Sequence, residues 1–299
     1  MFNSKTSRRF LLLAAVLTSL TLVACGGNTH KNQANTVTPA LGATYNADVY
    51  VYAADGITLL GQGKTDGTTG KSNVTLSGYT SGTPVIVKVV VGPGASYYNE
   101  SSKENVTLAP DAKPFTMLSV FPSATANQDF SANPLTNMAA KFAGISADNL
   151  GAKALSTPLV ADKVYEGVAK TNLVLGLPTS TNILAPVTPA TKKDPDPTGT
   201  ISNLLVVMAT TQIGQISTQS ASDPIQRALD LANAIKADGT IDTTKSAFTD
   251  LNAALKKESK LGLKVGDAAT TIDDSTLQKA KDVASKAVTT FTGSTTGGN

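Results

Sequence analysis

Pro84-Val-Ile-Val-Lys-Val-Val-Val91 places six β-branched residues in eight positions. A short run of this kind, closed by Gly92-Pro93-Gly94, predicts a central strand buried on both faces. Outward from it the same grammar repeats. Ala47-Asp-Val-Tyr-Val-Tyr-Ala53 alternates valine with tyrosine, Asp55-Gly56 follows as a turn, and Ile57-Thr-Leu-Leu60 begins the next strand. Further strands are expected over 73–76, 105–108 and 115–121, separated by Gly, Ser, Asp and Pro clusters. Short strands at this spacing argue for a small antiparallel β-sandwich over residues 40–122.

Leu60-Gly61, then Lys64-Thr-Asp-Gly67 leading through Gly70 to Asn73-Val-Thr-Leu76, then the strand to Val91, resembles a carboxypeptidase-regulatory or prealbumin-like domain. The resemblance covers about a quarter of the chain, and Lys71-Ser72 stand where that family has an aromatic after the glycine. It implies a spacer, stability module or binding surface without catalysis of its own.

Beyond Phe121 the period changes from two to that of a helix. Asn133-Pro134 supplies an N-cap and a first-turn proline ahead of Leu135, Met138, Ala139 and Phe142. Asp223-Pro224 opens a second helix with Ile225, Ala228, Leu229, Ala232 and Ile235 on one face and Gly239 at its end. Phe248, Leu251 and Leu255 mark a third. Leu277, Ala280, Ala284, Ala287, Val288 and Phe291 mark the last, behind an Asp274-Ser275 cap. The run from Ile201 to Met208 is apolar on nearly every side and should lie centrally. The fold class expected is therefore α+β, an antiparallel β-sandwich followed by a helical bundle over 133–291, with a disordered tail over 292–299. Pro134-Leu-Thr-Asn-Met-Ala-Ala140, Thr171-Asn-Leu-Val-Leu-Gly176 and Ile235-Lys-Ala-Asp-Gly-Thr-Ile-Asp242 are similar to the helical region of many large bacterial lipoproteins and surface proteins.

At the other end, Lys5, Arg8 and Arg9 precede an apolar run from Phe10 to Leu22, and small Ala24 precedes Cys25. That is the layout of an export signal, too short to serve as a membrane span. Leu22-Val-Ala-Cys-Gly26 resembles a bacterial lipoprotein processing site. The resemblance implies that residues 1–24 are removed and Cys25 is acylated, with two or more chains giving stable anchoring. Gly26-Gly27, with no aspartate after the cysteine, implies the outer membrane in a diderm cell. Residues 25–39, rich in Asn, Thr and Gly, are expected to be a flexible tether carrying the sole histidine, His30.

Composition narrows the chemistry. Without Lys5, Arg8 and Arg9, the 25 basic residues fall level with the 22 acidic ones, and one arginine, Arg227, remains. Such a chain lacks the basic field that a nucleic-acid partner requires. A single cysteine forbids an intrachain disulfide. One histidine and one acylated thiol also leave no nucleophile–histidine pair and no His/Cys zinc set. Carboxylate pairs remain, Asp273 with Asp274 and Asp238 with Asp242, each at a helix end where a cap belongs. Asp194-Pro-Asp196-Pro-Thr198-Gly199 spaces oxygens as in a calcium loop, but Leu205 stands where the bidentate acid should be. Asp194, Asp196 and Thr198 are the candidate calcium ligands, and no other cofactor is expected. Tyr50, Tyr52, Tyr97 and Tyr98 are the candidate binding residues for a protein or glycan, provided that they line an exposed sheet face. The function expected is a lipid-anchored envelope protein that binds or supports. A subunit self-associating through a sheet edge and a carboxylate-dependent hydrolase of a surface polymer are the alternatives.

Overall fold

The computed structural model describes residues 29–30, 33–148, 150–210, 228–229, 231–235, 242, 246–257 and 272–293. Its strands in chain order are β1 (Thr29–His30), β2 (Gln33–Pro39), β3 (Thr44–Tyr45), β4 (Asp48–Ala53), β5 (Leu59–Lys64) and β6 (Ser72–Leu76). They continue with β7 (Tyr79–Thr80), β8 (Val85–Val91), β9 (Ser96–Asn99), β10 (Glu104–Thr107), β11 (Phe115–Phe121) and β12 (Asp129–Ala132). The helices are α1 (Pro134–Phe142), α2 (Ala161–Leu175), α3 (Thr200–Thr210), α4 (Ala247–Lys257) and α5 (Asp274–Gly293). The chain is mixed α+β, with antiparallel pairing predominant.

β8 takes the central place expected of its β-branched run. It sits in a four-stranded antiparallel sheet of order β11-β8-β4-β5, with Val85, Ile86, Val87, Val89 and Val91 fully buried. A second sheet, β12-β2-β6, shows strict alternation in β6, where Ser72, Val74 and Leu76 point inward and Asn73 and Thr75 outward. Gly61 and Gly63 of β5 let β6 come close. A Cβ on Gly61 would lie 2.6 Å from the Thr75 carbonyl, and one on Gly63 would lie 2.6 Å from Ser72 Oγ. A third sheet runs β10-β9-β3, and β1 pairs with β7.

Two expectations are corrected here. The stretch 25–39 is not a free tether throughout, because Gln33–Pro39 is a strand held on both sides, antiparallel to β6 and parallel to β12. The parallel pair β2–β12 lies outside residues 40–122, the stretch expected to be an antiparallel sandwich. The physical reason for the strand is that β2 satisfies its backbone through partners distant in sequence, while Asn35 is buried with its Oδ1 accepting the Gln128 N–H at 2.9 Å. Finally, one hydrophobic core runs from Val37 in β2 through the helices to Val288. The division between residues 122 and 133 therefore falls inside a shared core.

Asn133 caps α1 as expected. Its Oδ1 accepts from the Leu135 and Thr136 amides, and the Thr136 hydroxyl accepts the Asn133 N–H, closing a capping box. The Thr136 hydroxyl also donates to the Leu118 carbonyl at 2.7 Å, and Asn137 Oδ1 accepts the Leu118 N–H, so the start of α1 is sewn to β11. Asn133→Ala should cost about 1–2 kcal/mol, read as a lower urea midpoint, because the cap is fully buried and water cannot replace it.

α2 ends at Gly176, whose φ of 65° makes a left-handed cap. α5 packs on α2, and its cap is Asp273 rather than the expected Asp274-Ser275: Asp273 Oδ1 accepts the Thr276 N–H at 2.9 Å. Phe248, Leu251 and Leu255 are buried on α4, and Leu204, Leu205 and Met208 are buried on α3. For the helix expected from Asp223, the start lies outside the described residues. Ala228 and Leu229 are helical, and Leu231–Ala234 tightens to a 3-10 turn. Residues 1–24, expected to be a signal segment, and residues 294–299 likewise lie outside the described residues. Among the described residues no helix is long and apolar enough to cross a membrane.

Candidate functional site

β9 ends in a turn that brings a carboxyl into the protein. Asn99 Oδ1 accepts the N–H groups of Ser101 and Ser102 at 2.9 and 3.1 Å, and the Lys103 N–H returns to the Asn99 carbonyl at 2.7 Å. Lys103 completes the turn with a φ of 57°. Glu100 is thereby folded inward and left only 5% exposed, with no partner for its Oε2. Burial disfavours its charged form and pushes its pKa up from 4.5 to about 7, although the backbone amides of Glu100 and Gly42 partly oppose this.

The surroundings come from three parts of the chain. Residues 40–44 lie against β9, where Tyr98 donates its N–H to the Ala43 carbonyl at 2.9 Å. Ala43 in turn donates to the Ala190 carbonyl at 2.7 Å, which fixes the proline-rich stretch beside the same strand. Lys192 from that stretch pairs with Glu104 of β10 at 2.6 Å. Burial raises the Tyr98 phenol, Glu100, Asp196 and Glu104 raise it further, and Lys192 opposes them. The arrangement can hold a proton out of solvent near neutral pH. The chain's one histidine, His30, lies in β1 and pairs with Tyr79 of β7.

A second concavity, of about 250 Å³, lies between β11, α1 and the turn Leu231–Ala234. Its lining includes the polar residues Thr116, Asn137, Lys141, Ser146, Asp148 and Asn233, beside Leu118 and Ile145. Asn137 is already committed on both sides, accepting from Leu118 and donating to the Leu229 carbonyl at 3.1 Å. Lys141 and Asp148 are the charged residues of its lining.

The tyrosines expected to line a binding face are placed otherwise. Tyr52, Tyr97 and Tyr98 are 8%, 2% and 1% exposed, so they belong to the core and do not form an exposed aromatic surface. Tyr97 packs edge-on against Phe115 at 5.5 Å, whereas Tyr50, half-buried, stacks on Tyr52 at 6.3 Å. β9 is covered on both faces, which is why two consecutive tyrosines can both be buried. Asp194, Asp196 and Thr198 are exposed, and the Asp194 backbone closes a turn with Thr191. Among the described residues no group of three or more His, Cys, Asp or Glu side chains could hold a metal ion. Asp273 is a cap and Asp274 begins α5, Asp242 donates its N–H to the Ala234 carbonyl, and Asp238 and Cys25 lie outside the described residues.

Sequence reasoning missed Glu100. The signal was an asparagine followed two and three residues later by serines, which marks a side-chain-closed turn, but nothing in it tells which way the intervening acid faces. Comparison with known families, with curated proteins and with solved structures finds no match for this chain.

Proposed function

We propose that this chain is a lipid-anchored bacterial envelope protein, attached through Cys25, in which a prealbumin-like β-sandwich followed by helices acts by binding or structural support. The observation that carries the reading is the Leu22-Val-Ala-Cys-Gly26 motif behind a basic and then apolar leader, four residues ahead of the first strand. Outer-membrane placement rests on Gly26-Gly27 following the cysteine. The close approach of β5 and β6 across Gly61 and Gly63 supports the sandwich.

The carboxylates support a role without turnover, because the well-placed ones are spent on structure. Asp55 accepts from the amides of Ile57 and Thr58, and Asp66 from those of Thr68 and Thr69. Glu166 lies between Lys163 and Lys170 at 2.7 and 2.8 Å. Burial raises the Glu166 pKa, but the two lysines outweigh it and the net shift is downward.

The test is Cys25→Ser with labelled fatty acid. Label incorporation should vanish, leaving precursor or soluble protein. A cleaved Cys25→Ser protein that stays in the membrane fraction would sink the reading.

A further inference from the structure

We infer that the end of the body formed by the β4–β5 turn and residues 77–83 and 122–128 lies against the lipid headgroups, with Ile57 and Leu59 directed at the bilayer. The inference rests on the lipid-anchored reading above and adds an orientation and a contact surface to it.

Chain reach sets the first constraint. Thr29 follows Cys25 by four residues, a span of at most about 14 Å. Thr29 pairs with Thr80 and His30 with Tyr79, so residues 77–83 lie one strand spacing, about 4.8 Å, from the segment leaving the acylated cysteine. The same end gathers the other two parts. Ser77 donates its N–H to the Leu60 carbonyl at 2.9 Å, and Ala124 donates to the Thr83 carbonyl at 3.1 Å. Asn127 donates to the Ala34 carbonyl at 3.2 Å, at the start of β2.

What this end presents is the second constraint. Ile57, Leu59 and Val160 are 43%, 44% and 50% exposed, three of the four large apolar side chains in that condition among the described residues. Leu159, preceding Val160, donates its N–H to the Ala54 carbonyl at 2.8 Å, which sets all three around the β4–β5 turn. Neither residues 77–83 nor residues 122–128 contain a charge. The acid within the turn, Asp55, has both oxygens engaged by Ile57 and Thr58. Asp129 begins β12 just behind, and Asp162 is paired with Lys281 at 3.0 Å. The opposite end of β4, β5 and β6 carries Asp48, Lys64, Asp66 and Lys71, all of which would lose hydration against a membrane. The one lysine beside the turn is Lys153, exposed between Gly151 and Leu155, which donate their N–H groups to the Gly56 and Asp55 carbonyls, and a lysine at this level can hold its ammonium among anionic headgroups while the apolar side chains enter the interface.

Introduced cysteines test the orientation, because Cys25 is acylated and each new thiol is then the sole free one. Full-length lipidated protein carrying bimane at Ile57→Cys, Ser81→Cys, Lys71→Cys or Lys193→Cys is reconstituted into vesicles of phosphatidylethanolamine and phosphatidylglycerol containing headgroup-nitroxide lipid. Quenching should be several-fold stronger at Ile57 and Ser81 than at Lys71 and Lys193. It should fall at the first two when twenty Gly/Ser residues are inserted after Gly27. Equal quenching at all four positions in protein that co-floats with vesicles would overturn the inference and leave the anchor intact. Protein bearing Cys25 that fails to co-float would overturn the anchored reading and the orientation together.

Discussion

Gly42→Ala should lose about 3–5 kcal/mol of stability, a large share of the roughly 5–15 kcal/mol typical of a folded domain. Two effects combine. Gly42 has a φ of 62°, a conformation that costs an L-residue about 1–2 kcal/mol. The new methyl would also lie 1.9 Å from the Tyr98 carbonyl oxygen and 2.9 Å from its carbon. Both obstacles are backbone, so relief means parting β9 from residues 40–44 and breaking the Tyr98–Ala43 hydrogen bond. Gly78→Ala separates the two effects, because its φ of 70° is similar and nothing lies within 4 Å of its Cβ. Urea midpoints should show a loss of about 1 kcal/mol for Gly78→Ala and several times that for Gly42→Ala. Equal losses would show that the close approach is absent in solution.

Glu100→Gln should remove most of the pH dependence of stability near neutrality. The folded protein holds the Glu100 proton more tightly than the unfolded chain does, with a pKa of about 7 against 4.5. Its contribution is therefore fully present below about pH 4.5 and is lost as pH rises through about 7. Over that window the loss is on the order of 3 kcal/mol. Glutamine keeps the shape and cannot ionise. The variant should match the parent near pH 5 and exceed it at pH 8, in urea midpoints taken at both values. Parallel pH profiles for the two proteins would mean that Glu100 reaches water.

Where side-chain pattern and backbone pairing agree, the sequence was readable. The strands read over 47–53, 84–91 and 115–121 recur as β4, β8 and β11, the alternating run with one face mainly buried and the nearly continuous apolar runs buried on both. Asn133-Pro134 was readable because capping is local chemistry. β2 was not, since Gln-Ala-Asn-Thr-Val-Thr-Pro contains one large apolar residue, and its burial depends on hydrogen bonds supplied by β6 and β12. The tyrosines failed for a related reason: strand alternation assigns faces, but only the packing of residues 40–44 and Phe115 decides that both faces of β9 are closed. Asp273 in place of Asp274-Ser275 is a slip of one residue, the ordinary uncertainty at a helix end. The inward turn of Glu100 is met by the Gly42 amide, nearly sixty positions earlier, which no local pattern encodes.

The pairing of β2 with β12 also fixes a timetable. Asn35 and Gln128 are 93 positions apart and joined through a buried side chain, so the sheet holding the first body strand is completed only by residues made much later. For a chain threaded through a membrane from its N-terminus, residues 33–39 must wait, one edge unfilled, until Asp129–Ala132 has emerged. If Cys25 is the acylated residue proposed above, it lies eight positions ahead of Gln33 and would be processed while the neighbouring strand still lacks that partner. On the lipid-anchored proposal, late closure of this sheet would leave Cys25 reachable during transit, before β12 completes the strand beside it.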